Sequence, residues 1–249
     1  MAYDIRSITQ VGTSEPFELQ VARGQIPGHS SVHKFGAVPE MSNGTTGTIW
    51  DIDDTLYPWS AFSSAQQIGI TLADVQDVGK SVVVIGLDAD YKEQSEVVQV
   101  NSQTETATDK SFIRVFRAYM HNGSAVNKGN INFLAGATTV ARITADKGQT
   151  LMAVYTVPAG YTGYLTQGVM TIASGGDATG DMFVRYAGET AFRIGHTFEV
   201  ASSEYHYAFT IPQRIPAKSD IDIRANVRTN NSRATAAFDI ILIQEQGSL

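Results

Sequence analysis

The stretch "DIDIRANV", residues 220–227, alternates Ile221, Ile223, Ala225 and Val227 with Asp220, Asp222, Arg224 and Asn226. A period of two belongs to a strand with one face in a core and the other in water. "EYHYAFTI" repeats the pattern, with Tyr205, Tyr207, Phe209 and Ile211 on one face. "KSVVVIGL" and "FDIILIQ" are short apolar runs suited to strands buried on both sides, and "KSFIRVFRAYM" and "TLMAVYTV" are rich in β-branched and aromatic residues. Turn signals separate them: "HNGS", "DKGQ", "VPAGYTG", "SGGDATGD", "IPAKSD" and "TNNS". Beyond about residue 80 nothing sustains helical periodicity over three turns. The best helix candidates are the short "SSAQQI" and "ITLADVQ". The pattern predicts an all-β chain, an antiparallel β-sandwich or jelly-roll-like fold built as one or two sandwiches.

Residues 1–60 read differently. Pro16, Pro27 and Pro39 and many glycines cut this segment into short extended pieces, with no helical pattern. Phe17, Leu19, Val21, Ile26, Val32 and Phe35 make it too apolar for a linker. It is expected to be an extended N-terminal arm that docks on something else. Residues 61–146 are then a first β-sandwich region, and residues 147–249 a second, jelly-roll-like one.

Charged residues make up 17% of the chain, below the usual ~25%. Such a surface suits β-structure or burial against neighbours. The net charge is −7, with no basic run, which argues against a nucleic-acid partner. With no cysteine, disulfides and thiolate metal sites are impossible. "MAYDIRSITQ" lacks the apolar stretch of a signal peptide. No apolar run approaches the ~18 residues of a membrane span, so no membrane partner is expected.

Several constellations imitate active sites. Asp51, Asp53 and Thr55 in "IWDIDDTLYPW" spell D-x-D-x-T, the opening motif of haloacid-dehalogenase phosphatases. Asp177 and Asp181 in "GGDATGD" match the spacing of that superfamily's metal motif. The chemistry needs the first Asp at the tip of a buried parallel strand, and only Ile49 and Trp50 precede Asp51 after "SNGTTGT". Ser174 stands too close to Asp177 for a lysine and a strand between them, and Lys147 precedes it. The carboxylates therefore read as polar turns. Calcium ligation by Asp51, Asp53 and Asp54, or by Asp88, Asp90 and Glu93, lacks the glycine and glutamate of an EF-hand loop. His29 and His33 are spaced like a zinc-protease pair, but Ser30 stands where the glutamate belongs. "GHSSV" ends in Val32 where a nucleophile elbow needs glycine. No catalytic, metal or cofactor site is predicted, and no cofactor. Trp50, Tyr57, Trp59 and Phe62 form an aromatic cluster. It suits a plug fixing the arm to a sheet or another subunit, or a platform for sugars.

Taken together, "FELQVARGQIPGHSSVHKFG", "IWD" followed by "LYPW", "SVVVIGLDADYKEQSEVV", "SFIRVFRAYM", "TLMAVYTVPAGYTGYL" and "FDIILI" resemble a family of virion proteins of tailed, podovirus-type bacteriophages. The resemblance runs from about residue 17 to the C-terminus and is most specific in "ARGQIPGHSSVHKFG". In that family the slot after "IWD" is often glycine-rich, so "IDDT" is a local departure. The resemblance implies a virion structural protein assembled in the host cytoplasm: a head decoration or cement component, or a tail- or fibre-associated receptor or glycan binder. It carries no catalytic residues. The implied partners are further copies of itself, a trimer being one arrangement, and the major capsid protein or other virion proteins. The expected interface residues are Ile26, His29, His33, Phe35, Trp50, Tyr57, Trp59 and Phe62.

Overall fold

The computed structural model describes residues 15–121, 123–173 and 175–245. Residues 1–14 of the expected arm, Ser174 of the phosphatase comparison and the last residues of the second region lie outside these. Among the described residues there are one α-helix, α1 (Phe17–Ala22), and sixteen strands. The strands are β1 (His29–Met41), β2 (Thr46–Thr48), β3 (Gln66–Leu72), β4 (Ser81–Leu87), β5 (Glu93–Gln99), β6 (Thr106–Phe112), β7 (Arg114–Met120), β8 (Ile131–Ala135), β9 (Thr138–Ile143), β10 (Val154–Thr156), β11 (Tyr161–Ile172), β12 (Asp177–Arg185), β13 (Arg193–Ala201), β14 (Glu204–Ile215), β15 (Asp220–Val227) and β16 (Ser232–Gln244). The protein is all-β, as the alternation predicts.

The strands form four sheets, ordered β1-β16-β11-β14, β10-β15-β12-β13 with β2 beside β15, β6-β3-β8-β9, and β5-β4-β7. Their pairings are antiparallel. The first two sheets face each other as a larger sandwich. Its core takes Ala234, Ala236, Phe238, Ile240 and Leu242 from β16, and Ile221, Ile223, Ala225 and Val227 from β15. The faces press together at Gly180 of β12, where a Cβ would stand 2.4 Å from Met170 Sδ and 2.0 Å from Phe198 Cε2. The other two sheets make a smaller sandwich around Ile68, Ile70, Val82, Val84, Phe112 and Phe133. Each fully buried large apolar side chain contributes about 1.5–3 kcal/mol, and one continuous cluster of such residues runs through both sandwiches.

The expected arm is a structural strand. β1 pairs with β16 in unbroken register from His29↔Ile243 to Val38↔Ala234, then shifts before Met41↔Ser232. Pro39, which has no N–H to give a ladder, stands within that shift. Before it, α1 packs on β1 and buries Val21. Pro16 caps this six-residue helix without a side-chain hydrogen bond, so its order comes from docking, since one turn and a half is too short to be stable alone. The division of the chain changes accordingly. β3–β9 form the smaller sandwich, close to the expected first region. The larger sandwich is not confined to 147–249, because β1 and β2 belong to it. The smaller sandwich is thus inserted between β2 and β10.

Other local readings shift too. "SSAQQI" leads into β3, and "ITLADVQ" ends β3 and enters a 3-10 turn at Val75–Asp77. "FDIILIQ" is buried on one face only: Phe238, Ile240 and Leu242 point in, while Asp239, Ile241 and Ile243 are half-exposed. In β14, Ala208 pairs with Gln167 but Gln213 with Leu165, so residues 209–212 bulge. This ejects Ile211, which is 84% exposed although it shares the sequence period of Tyr207.

Candidate functional site

The segment "IWDIDDTLYPW" enters the seam between the two sandwiches. Gly36 of β1 passes so close beneath it that a Cβ would lie 2.3 Å from the Ile49 carbonyl and 2.4 Å from Ala153 N. Trp50 Nε1 donates to the Thr55 carbonyl at 3.2 Å, closing the turn. Tyr57 Oη donates to the Val115 carbonyl at 3.1 Å, on β7 of the smaller sandwich. Trp59 Nε1 donates to Asp222 Oδ2 at 3.0 Å, on β15 of the larger one. The three rings stack edge to face, with centroids 5.2 Å apart for Trp50 and Tyr57 and 4.6 Å for Tyr57 and Trp59.

A paired charge network surrounds Trp59. Arg114 of β7 donates to both oxygens of Asp220, at 2.9 and 3.1 Å. Arg185 Nε of β12 donates to Asp220 Oδ2 at 3.0 Å, and Thr156 Oγ1 to Oδ1 at 2.6 Å. Asp222 accepts from Thr48 Oγ1 at 2.8 Å and from Arg224 Nε at 2.9 Å. The Arg114 and Arg185 guanidiniums lie 5.5 and 5.4 Å from the Trp59 ring. Phe192 takes Arg185 at 4.7 Å and Arg224 at 4.9 Å on its face. Asp220 and Asp222 are 2% and 0% exposed. The polar row of "DIDIRANV" therefore meets protein and not water at these two positions: Arg114 of the smaller sandwich at Asp220, and Trp59 of the connecting segment at Asp222. Carboxylates this buried persist because every oxygen is occupied. Every oxygen is already bonded, and both are committed to holding the seam together.

The D-x-D-x-T carboxylates are engaged too, but with fewer partners. Asp51 is buried and accepts from Thr144 Oγ1 at 3.0 Å; burial pushes its carboxyl pKa up to about 6, against the pull of that bond. Asp53 Oδ1 accepts from Thr55 N at 3.0 Å, and Asp54 Oδ2 from Ser42 N at 3.1 Å. Asp177 pairs with Arg228 at 2.8 Å. All the sheets being antiparallel, Asp51 has no parallel-strand tip to stand on. Among the described residues no group of three or more His, Asp or Glu is placed to hold a metal ion.

Buried Lys34 lies in another part of the same seam. It stands on β1, 6% exposed, and Nζ donates to the Phe116 carbonyl of β7. The Phe116 ring lies 5.7 Å from the ammonium. Among the described residues no carboxylate is bonded to it. Burial first, and Arg117 second, lower its pKa to about 7.

The structure divides the eight expected interface residues into two groups. Trp50, Tyr57, Trp59 and Phe62 are buried inside the chain, at 2, 3, 8 and 5% exposure, which removes them as a platform for sugars. Ile26 and His29 are partly exposed where the chain enters β1. His33 and Phe35 lie on the outer face of the β1-β16-β11-β14 sheet, ring to ring at 5.6 Å. His33 Nδ1–H donates to Asp239 of β16, and Gln167 Nε2 of β11 donates to the other Asp239 oxygen at 2.7 Å. Arg114, Arg185 and Lys34 are not singled out by the sequence, and Asp220 and Asp222 are read there only as the water-facing side of their strand. The available signal was two acids at alternate positions of one strand, where acids are rare.

No family model matches the chain, and no curated protein does. Among solved structures, a chain of the cowpea mosaic virus top component, naturally occurring empty particles, aligns with 74% of this chain and 83% of its own at 7% identity and a TM-score of 0.23. The structure of infectious bursal disease virus Gx strain aligns over 89% and 73% at 9% identity and a TM-score of 0.26. T=1 particles derived from infectious bursal virus align over 91% and 75% at 11% identity and a TM-score of 0.21. Likenesses at these TM-scores carry no argument about function.

Proposed function

We propose that the chain is a structural protein of a tailed-bacteriophage virion, a capsid decoration or cement component acting through protein–protein contacts. The observation that carries this reading is the outer face of the β1-β16-β11-β14 sheet. "GHSSVHKFG", the end of the segment most specific to the phage resemblance, builds β1 on that face. Phe35, Tyr164, Val169, Ile241 and Ile243 stand half-exposed there around the His33–Asp239–Gln167 cluster. Outward apolar rows beside a short polar centre are the composition of a protein interface. Repeated use of one surface favours a symmetric homo-oligomer, a trimer among them, and contact with the major capsid protein.

The test has two parts. Sedimentation velocity of the purified chain is expected to show an oligomer. Phe35→Asp with Ile241→Asp is expected to return it to monomer with its melting temperature unchanged. Mass spectrometry of purified particles is expected to contain the chain in many copies. A monomeric chain absent from particles overturns the reading.

A further inference from the structure

The connector between β12 and β13, residues 186–192, lies against the charge network at Trp59. Its backbone is hardly tied down. Among the described residues one backbone hydrogen bond runs within it, from Glu189 N to the Tyr186 carbonyl at 3.0 Å, and none joins 187–192 to the rest of the chain. Ala187, Gly188, Thr190 and Ala191 are exposed. The aromatic residues at its two ends, Tyr186 and Phe192, are partly buried and pack against the core. A segment with so few backbone bonds opens locally at far less cost than unfolding the chain.

Phe192 is seated between cations. Its ring lies 4.7 Å from the Arg185 guanidinium and 4.9 Å from that of Arg224, and its centroid is 5.5 Å from Trp59. The stack continues on both sides, to Phe183 at 4.2 Å from Arg224 and to Arg114 at 5.5 Å from Trp59. A ring face attracts a cation through its quadrupole, more strongly where water is excluded.

The seat does not depend on the ring. Arg185 is held by Asp220, and both Arg224 and Trp59 are held by Asp222. These bonds remain when Phe192 withdraws, so the ring can leave and return without rebuilding the place it returns to. What changes is access. Trp59 is 8% exposed with the ring seated against it. Water reaching that side raises the local dielectric and weakens the charge pairs there, the Arg114–Asp220 pair between the sandwiches among them.

We propose that Phe192 is a releasable latch. The connector 186–192 opens and closes as a unit, and closing it keeps water off the charges around Trp59 that join the two sandwiches. The latch sets the strength of the junction without taking part in its charge pairing. It stands on contacts within the chain and is independent of any role in a particle.

The test is hydrogen exchange of the two tryptophan indole N–H groups, followed by NMR in the full chain. The Trp59 indole bonds to Asp222 beside the latch; the Trp50 indole bonds to the Thr55 carbonyl and serves as the internal control. In the parent, the Trp59 proton is expected to exchange faster than the slowest core amides, at a rate that low urea does not change. Phe192→Ala is expected to speed it about tenfold or more, and to leave Trp50 unchanged. Phe192→Leu keeps an apolar side chain without a ring face and is expected to behave as Phe192→Ala does, whereas Phe192→Tyr is expected to restore the parent rate. The proposal is overturned if the parent Trp59 proton exchanges only by global unfolding, with the urea dependence of the core amides, if Phe192→Ala speeds both indoles alike, or if Phe192→Leu protects Trp59 as well as the parent ring does.

Discussion

The seam between the sandwiches holds two kinds of buried charge. Around Trp59, Asp220 and Asp222 meet Arg114, Arg185 and Arg224 with every carboxylate oxygen bonded. Elsewhere in the seam, Lys34 has one carbonyl and Asp51 a threonine hydroxyl as its side-chain partner. Saturated charges fix one geometry and tolerate no loss of a partner. Unsaturated charges are held against their preference, and their proton occupancy is set by pH. The first kind makes the junction specific; the second makes its strength depend on the medium.

Removing an acid from the saturated network is expected to have the largest effect. Asp220→Ala leaves Arg114 and Arg185 buried without their carboxylate and is expected to cost about 3–5 kcal/mol, read by urea unfolding. A loss under 1 kcal/mol would show that the two kinds of charge do not differ as described.

Lys34→Met tests the other kind and is expected to act in the opposite direction. With a folded pKa of about 7 against 10.5, the folded state holds fewer protons than the unfolded one between those values. The burial penalty is full below pH 7, and stability rises as pH climbs from about 7 to 10.5. The variant is expected to gain roughly 3 kcal/mol at pH 6 and to lose that rise. A destabilised variant at pH 6 would mean that the Phe116 carbonyl bond outweighs burial.

Asp51→Asn is expected to act more weakly. Its folded pKa is raised to about 6 from 3.8, so stability falls as pH rises through that window and stays lower above it. The amide variant is expected to gain about 1–2 kcal/mol at pH 7 and to flatten the profile between pH 4 and 6. Together Lys34 and Asp51 place a shallow minimum of stability between pH 6 and 7, checked by melting temperature against pH in the parent and in each variant.

His33→Ala, on the exposed sheet face, is expected to change stability by less than about 0.5 kcal/mol. Its bond to Asp239 is open to solvent, so a larger loss would make that face part of the folded framework.

The same contrast explains what was legible in the sequence. Period two in "DIDIRANV" placed Ile221, Ile223, Ala225 and Val227 in the core, because alternation is a local property of one strand. The fate of Asp220 depends on Arg114, and that of Asp222 on Trp59 and Thr48, all more than a hundred residues away. Strand period assigns a face but does not say whether water or another sheet meets it. β1 was missed for a similar reason. Its glycine, serines and proline carry weak strand propensity, and its order comes from β16 at the far end of the chain. The aromatics of 49–59 read as a plug fixing the arm to a sheet or another subunit; in the structure Tyr57 and Trp59 instead bridge the two sandwiches.

The insertion of the smaller sandwich also sets an order in time. His33 bonds to Asp239 across 206 positions of sequence, and β16 lies at the centre of its sheet with β1 on one flank and β11 on the other. On a ribosome, β3–β9 can pair among themselves while β1 and β2 still wait for their partners. The larger sandwich closes only when β16 emerges and takes β1 on one side and β11 on the other. Such long-range pairing is slow, and until it happens the apolar inner side of β11 stays exposed. A chain stopped before residue 232 would hold a finished small sandwich and an open half of the large one.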